Sequence, residues 1–179
     1  MPTLDDLPSA EVIAEGLAPL LMKEPRVEGP EKLVNFKLNQ VARRSGGMFV
    51  ATLHRNIQYD EEIIGWLGVG TRLAIAIGAK MVQDPEVEER VENIQTDDLT
   101  LDAAREVLNV ITVFFNETLE DRDWDHGIRV GQAEQMDPDT MKKRGVDSED
   151  FTVGGIYLIH FPDIAALDKR GGSLFIAFR

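Results

Sequence analysis

The chain of 179 residues contains no cysteine. Disulfide bonds, a cysteine nucleophile and the thiolate ligands of structural zinc sites are therefore excluded. A sequence without cysteine is also compatible with a reducing compartment. Any chemistry has to come from carboxylate, amide, hydroxyl, imidazole or cationic side chains.

The sequence is also short of basic residues and of long apolar runs. It has 19 Lys and Arg against 32 Asp and Glu, a net charge of -13, which argues against a surface that binds nucleic acid. The longest apolar stretch, IIGWLGVG at 63–70, is far below the roughly 20 residues of a membrane-spanning helix. The N-terminal MPTLDDLPSAE has neither a basic nor an apolar segment, so we expect no signal peptide and a cytoplasmic protein.

The patterns that are present predict one α+β domain over residues 1–179, with an antiparallel or mixed sheet packed against two or three helices. The predicted helices are 9–23, 71–83 and 100–119, with Ser9, Thr71 and either Asp98 or Thr100 as N-caps. The predicted strands are 31–40, 47–56, 61–70, 126–136, 151–161 and 172–178. An acidic, partly helical connection is expected at 84–98 and a polar loop at 137–150, and no internal repeat is visible.

The helix predicted at 100–119 contains the sequence DAAREVLNVITVFFNE. At about 100° per residue, its apolar side chains gather on one broad face that must meet the core. This face holds Leu101, Ala104, Val107, Leu108, Ile111, Phe114 and Phe115. The opposite stripe holds Asp102, Arg105, Glu106, Asn109, Thr112 and Asn116, with the apolar Val113 among them. On geometry alone, the stripe is typical of the solvated side of any amphipathic helix.

Two observations favour a functional stripe. Asn is a mediocre residue in a helix interior, and Asn109 has no helix end to cap. The order of patterns is also specific: a strand ending in GVG, a helix of small residues, an acidic connection, then Asp-x3-Glu-x2-Asn on a long helix. This order resembles the CheC/CheX family of response-regulator phosphatases, whose signature Asp/Ser-x3-Glu-x2-Asn is matched by Asp102, Glu106 and Asn109. Only one copy is present, which makes the chain more similar to single-site CheX than to two-site CheC.

The resemblance implies a catalytic pair. A response regulator stores its signal as an aspartyl phosphate in a pocket that already has Mg²⁺ and a Lys, so its phosphatase needs no metal or cofactor of its own. In the family, the Asn holds the attacking water and the Glu pairs with the regulator's Lys. Carried over, Asn109 orients the water and Glu106 makes the charge-assisted contact. Asp102, Arg105 and Val113 are expected to contact the partner, and Asp102 also favours the helix start.

The implied partner is a phosphorylated, CheY-like response regulator, and single-site members of the family form homodimers. The C-terminal SLFIAF, expected as an apolar sheet edge, also predicts a homodimer. Two other interpretations stay open: a non-catalytic CheC-like binding module in a signalling complex, or an unrelated α+β domain with a coincidental motif. A phosphatase requires Glu106 and Asn109 to be exposed, whereas a pair buried under the 137–150 loop favours the binding module.

The chain departs from the family pattern at three places. Gln132 stands where a Pro often follows the signature, and Phe114 and Phe115 are bulkier than the small residues expected there. The polar loop at 137–150 is longer than usual. These differences bear on the choice of regulator and on catalytic competence rather than on the fold.

Three other patterns are less specific. DRDWDHG at 121–127 spaces its acids like a calcium loop, but the required Gly and the final Glu are both out of place. His54, His126 and His160 lie in separate elements and share no ligand spacing, so no metal site is predicted. GVGT at 68–71 opens a helix without a complete phosphate-binding pattern, and packing explains its glycines better.

Overall fold

The computed structural model describes residues 3–57, 60–120, 128–146 and 151–179. Within these ranges a 3-10 turn, Leu4–Asp6, precedes the helices and strands of an α+β domain. The helices are α1 (Ala10–Leu21), α2 (Asn35–Arg44), α3 (Thr71–Met81), α4 (Val87–Glu92), α5 (Asp98–Glu120), α6 (Pro138–Lys143) and α7 (Ala165–Arg170). The strands are β1 (Arg26–Lys32), β2 (Met48–Ile57), β3 (Asp60–Gly70), β4 (Ile128–Val130), β5 (Glu134–Met136), β6 (Val153–His160) and β7 (Gly172–Phe178).

All of these strands belong to one antiparallel sheet. Its order is β1-β6-β7-β3-β2-β4, and β5 pairs with the other end of β2. The predicted strands 61–69, 151–161 and 172–178 therefore share a sheet, and the predicted helix at 100–119 is confirmed as α5. The prediction that SLFIAF forms a sheet edge is wrong, because β7 is buried throughout between β6 and β3. The homodimer stays a prediction, without the support of that edge.

The two halves of the domain repeat one order of elements. The first half runs α1, β1, α2 and the pair β2–β3, and the second runs α5, β4 with β5, α6 and the pair β6–β7. The outer strands are exchanged between the halves: β1 pairs with β6, while β4 and β5 pair with β2. The two halves show no visible sequence repeat. A shared topology requires only the same order of elements and a similar pattern of apolar residues, so the residues themselves can differ.

Alternate residues of the sheet face two separate cores. Leu174 and Ile176 of β7 pack in the larger core, which also includes side chains of α1, α3 and α5. Phe175 and Ala177 point the other way, into a smaller core that includes side chains of α2 and α6. The sheet is consequently covered on both faces, with the long helix α5 on one and the short helices α2 and α6 on the other.

Two helices replace elements that the sequence predicts differently. The alternation of Val34, Phe36 and Leu38 predicts a strand over 31–40, but only Leu38 of the three is buried, and α2 instead buries residues at helical spacing. In the predicted loop 137–150, Asp137 accepts a hydrogen bond from Thr140 N at 2.7 Å and starts α6. Residues 147–150 of that loop lie outside the described ranges.

The N-caps are confirmed in one case and wrong in the others. Ser9 accepts a hydrogen bond from Val12 N at 3.3 Å, as predicted. Thr71 is the first residue of α3 and follows a Gly cap. The cap of α5 is Asp97: its Oδ1 accepts from Thr100 N at 3.0 Å, and Thr100 Oγ1 accepts from Asp97 N at 3.1 Å. This reciprocal pair satisfies two backbone donors at the helix start.

We expect Asp97→Ala to lower the free energy of unfolding by about 1 kcal/mol, because it leaves the N-terminal donors of α5 without an acceptor. Asp97→Asn is the matched control, since its amide oxygen can still accept from Thr100 and the change should stay within about 0.5 kcal/mol. Urea unfolding with an unchanged m-value measures both. Equal losses for the two variants would mean that the charge, rather than the cap, stabilises the helix.

Candidate functional site

Helix α5 has one buried side and one exposed side, as its sequence predicts. Ala103, Ala104, Val107, Leu108 and Ile111 are buried in the larger core, and Leu101 and Phe114 are half-buried. The side chain of Phe115 lies outside the described part of the structure. All five predicted site residues are exposed on the opposite side, and the apolar Val113 is 54% exposed. They are Asp102, Arg105, Glu106, Asn109 and Val113.

The C-terminal half of the predicted stripe has structural roles instead. Thr112 is buried, and its hydroxyl donates to Leu108 O at 2.7 Å within the helix. Asn116 donates through Nδ2 to Ile128 O at 3.0 Å and accepts through Oδ1 from Ile128 N at 2.6 Å. These two bonds attach β4 to α5. The part of the stripe that stays exposed is therefore its first half, from Asp102 to Asn109, together with Val113.

Glu106 and Asn109 are free to meet a partner. Neither side chain has a hydrogen bond or ion pair to any residue that the structure describes. They lie three positions apart on one helix and so point in similar directions. Beside them, Arg105 Nη1 lies 3.5 Å from Asp102 Oδ1, an exposed ion pair that contributes little to stability.

A groove of about 450 Å³ runs along this part of α5. Arg105, Leu108 and Asn109 line one side, and residues 129–133, which comprise the end of β4 and the chain after it, line the other. Gln132, which departs from the family pattern, is exposed in this second wall. The sequence did not predict the wall, because it depends on the pairing of β4 with β2 and on the Asn116 contact.

The charges of the second wall are largely neutralised within the molecule. Arg129 forms an ion pair with Glu61 and lies opposite His54 across the β2–β4 pair. Burial lowers the pKa of His54 below its ordinary value, and the charge of Arg129 lowers it further. His54 is therefore neutral at pH 7, and the wall presents mainly hydrogen-bonding groups to a ligand.

The described residues at which the chain departs from the family pattern leave Glu106 and Asn109 exposed. Residues 137–146, which the sequence predicts as part of a loop, include α6 and pack against α2 and β5, away from α5. The bulk of Phe114 has a packing role, because its ring lies where a Cβ on Gly16 of α1 would sit. α1 is the topological counterpart of α5, and at the positions that correspond to Glu106 and Asn109 it has the buried Ile13 and this Gly16.

The other patterns add no second site in the part of the chain that is described. No group of three or more His, Asp or Glu residues there is arranged to hold a metal ion. His160 Nε2 lies 3.2 Å from Glu28 Oε2 at the β1–β6 pair, far along the sheet from His54. His126 and the acidic stretch 121–127 lie outside the described ranges. None of the described helices has the length and apolar character needed to cross a bilayer.

The glycines of GVGT pack against the sheet, as predicted. A Cβ on Gly68 would overlap the Phe175 ring, and one on Gly70 would lie 2.5 Å from Ser173 Oγ. The space in front of these residues is therefore filled by neighbouring strands, and the segment has a packing role rather than an anion-binding one.

The fold is that of the CheC-like α+β domains. No protein-family model matches the sequence, and no curated protein does. FliM in the FliG–FliM complex from H. pylori is similar in structure, with a TM-score of 0.57, 6% identity, and coverage of 94% of this chain and 85% of that chain. The FliM middle domain from Vibrio alginolyticus has a TM-score of 0.56 at 11% identity, covering 95% and 87%. Thermotoga maritima FliY has a TM-score of 0.52 at 15% identity, covering 94% and 86%. At these identities the comparison shows the fold.

We expect the two asparagines of α5 to respond in opposite ways to substitution by Ala. Asn116→Ala removes both partners of the Ile128 backbone and should cost about 2 kcal/mol in the free energy of unfolding. Asn109→Ala should raise that free energy by about 0.5 kcal/mol, because Ala is the better residue in a helix interior. Urea unfolding gives both values.

Amide hydrogen exchange locates the effect of Asn116→Ala, which should accelerate exchange in β4 and leave β3 and β7 protected. A loss of stability in Asn109→Ala as large as that in Asn116→Ala would show that Asn109 also has a structural role.

Proposed function

We propose that the chain is a CheX-like phosphatase that hydrolyses the aspartyl phosphate of a CheY-like response regulator. The observation that carries this proposal is the state of Glu106 and Asn109: both are exposed, and both lack a partner among the described residues. They are presented on a long helix whose other side is buried in the main core. A rigid support of this kind suits groups that must enter another protein's pocket and hold a geometry there.

Asn109 is proposed to position the attacking water. Its carboxamide has one acceptor and two donors, so it can accept from a water and hold it in line with the phosphorus. Phosphoryl transfer needs little covalent chemistry from the protein, and positioning with electrostatic stabilisation accounts for most of the catalysis. The water attacks phosphorus as the bond to the aspartyl oxygen breaks, which yields inorganic phosphate and the free carboxylate of the regulator.

Glu106 is proposed to pair with the Lys of the regulator's pocket. A charge-assisted hydrogen bond between the two would fix the register in which Asn109 enters. The regulator's own site supplies the Mg²⁺ that neutralises charge on the phosphoryl oxygens. The phosphatase then needs only these two side chains and a surface that docks.

The docking surface is proposed to include the neighbours of the pair. Val113 is an exposed apolar side chain on the same side of the helix as Asn109 and can pack against an apolar patch of the regulator. Arg105 and Asp102 can exchange their weak mutual ion pair for contacts to the partner.

A second candidate is a non-catalytic binding module in a signalling complex. FliM of the H. pylori structure, which has this fold, is in complex with FliG. The same exposed side of α5 could dock a protein without performing chemistry. The two candidates differ in one measurable respect, which is whether the rate of phosphate release depends on Asn109.

Asn109→Ala should slow phosphate release from a phosphorylated regulator by about 100-fold, or about 3 kcal/mol, with binding nearly unchanged. The reason is that its amide touches only the water and the transition state. Glu106→Ala should weaken both binding and rate, because its contact to Lys already exists in the bound ground state. Asp102→Ala should change activity little. Single-turnover dephosphorylation, together with binding of a regulator carrying a stable phosphoryl mimic, separates these effects.

Glu117→Ala is the matched control for Glu106→Ala, since Glu117 is an exposed carboxylate on the same helix, about three turns further on. It should leave the rate and the binding unchanged. If the wild-type chain binds the phosphorylated regulator without accelerating phosphate release, the binding module is the correct function. If it neither binds nor accelerates release with any candidate regulator, the stripe is only the solvated side of a helix.

A further inference from the structure

The face of the sheet opposite α5 carries a second groove, of about 480 Å³, between α2 and α6. Its floor is apolar: Leu38, Met141 and Val146 line it and are nearly buried. Phe36 lines it as well, yet is 80% exposed, the highest value among the large hydrophobic residues that the structure describes. An aromatic ring held in the open on a helix, beside an apolar groove, is typical of a binding surface.

The two helices that form this groove are basic, although the chain has a net charge of -13. α2 contains three cations and no acid, and α6 contains two cations and one acid, Asp139. Arg43 and Lys142 line the groove from opposite helices. Arg43 Nε donates only to the neutral Asn39 Oδ1, at 3.3 Å, and neither cation has an ion pair to a described residue.

The positions of these cations are partly explained by the helices themselves. Arg43 and Lys142 lie in the last turns of α2 and α6, where positive charge stabilises the helix dipole. That effect does not account for Phe36, which lies in the first turn of α2 and contributes to neither core. The combination of an exposed ring, an apolar floor and cations on both rims that pair with no described carboxylate needs a further explanation.

We propose that the groove between α2 and α6 docks an acidic segment of a partner protein. An apolar side chain of the segment packs against Phe36 and the floor, while its carboxylates meet Arg43 and Lys142. The positive charge on the rims of the groove is complementary to an anionic partner. The apolar floor favours a polypeptide over a nucleic acid, because the phosphates of a nucleic acid need a wider basic surface. Asp139 on the rim disfavours a second acid at that point and so restricts the register of the segment.

This surface is independent of the proposed phosphatase site. Side chains of α5 lie in the core on one face of the sheet and those of α2 and α6 in the core on the other. A partner in the second groove and a regulator at α5 can therefore be bound at the same time. The chain would then link a response regulator to a second protein.

The test uses three synthetic probes of equal length: a peptide with Leu and Phe between runs of Glu, the same peptide with Ala in place of Leu and Phe, and a single-stranded oligonucleotide. Each is titrated to millimolar concentration while amide shifts of the isotopically labelled chain are followed by NMR. We expect only the first peptide to bind, with amide shifts confined to α2, α6 and the other residues that line the groove. Binding should weaken as salt is added, because the cations and carboxylates are exposed.

The variants identify the contacts. Phe36→Ala should weaken binding of the first peptide about tenfold. The double variant Arg43→Glu, Lys142→Glu should abolish it. These side chains are largely exposed, and circular dichroism with urea unfolding verifies that the variants are folded. Met22→Ala and Lys169→Glu are the controls, since they change an exposed apolar residue and an exposed cation elsewhere, and Asn109→Ala is a third.

Several results would overturn the proposal. They are no binding of the first peptide at millimolar concentration, shifts that lie mainly on α5, equal binding of the Ala peptide, or tighter binding of the oligonucleotide. None of these outcomes bears on whether the rate of phosphate release depends on Asn109. Failure of this proposal and failure of the phosphatase proposal are therefore distinguishable.

Discussion

The pairing of β3 with β7 is the contact on which the rest of the domain depends. It joins the strand pair of the first half to that of the second, with Gly68 opposite Phe175 and Gly65 opposite Phe178. A Cβ on Gly68 would overlap the Phe175 ring, and one on Gly65 would overlap Ala177 O. The strands can lie together only because these positions have no side chain. Once these two strand pairs are joined, the outer strands complete the sheet. β1 of the first half pairs with β6 of the second, and β4 and β5 of the second half pair with β2 of the first.

The exchanged outer strands explain how α5 becomes a rigid support for the candidate site. β4 pairs with β2 of the first half, yet Asn116 of the second half holds it through both backbone groups of Ile128. The helix is thus attached to the sheet through its buried side and through β4.

The two exposed surfaces differ in their physical character. The side of α5 presents hydrogen-bonding groups in a region where cations are mostly paired with carboxylates, as in Arg105 with Asp102 and Arg129 with Glu61. The groove between α2 and α6 presents an apolar floor and cations that have no carboxylate partner among the described residues. The first therefore suits recognition by geometry, and the second suits recognition by hydrophobic contact and charge.

The sequence by itself determined the long helix, its buried side and the residues on its exposed side, because helical periodicity is a local property that twenty residues record clearly. It also determined the α+β class and the strands at 61–69, 151–161 and 172–178. The tertiary structure alone decided that Thr112 is buried and Asn116 holds β4, while Glu106 and Asn109 stay exposed without a partner among the described residues. All four lie on one stripe of the helix, and its periodicity does not distinguish them. The tertiary structure likewise decided that β7 is internal and that 35–44 is helical. Strand order and the burial of a short alternating segment depend on contacts between residues far apart in the chain, which no local pattern contains.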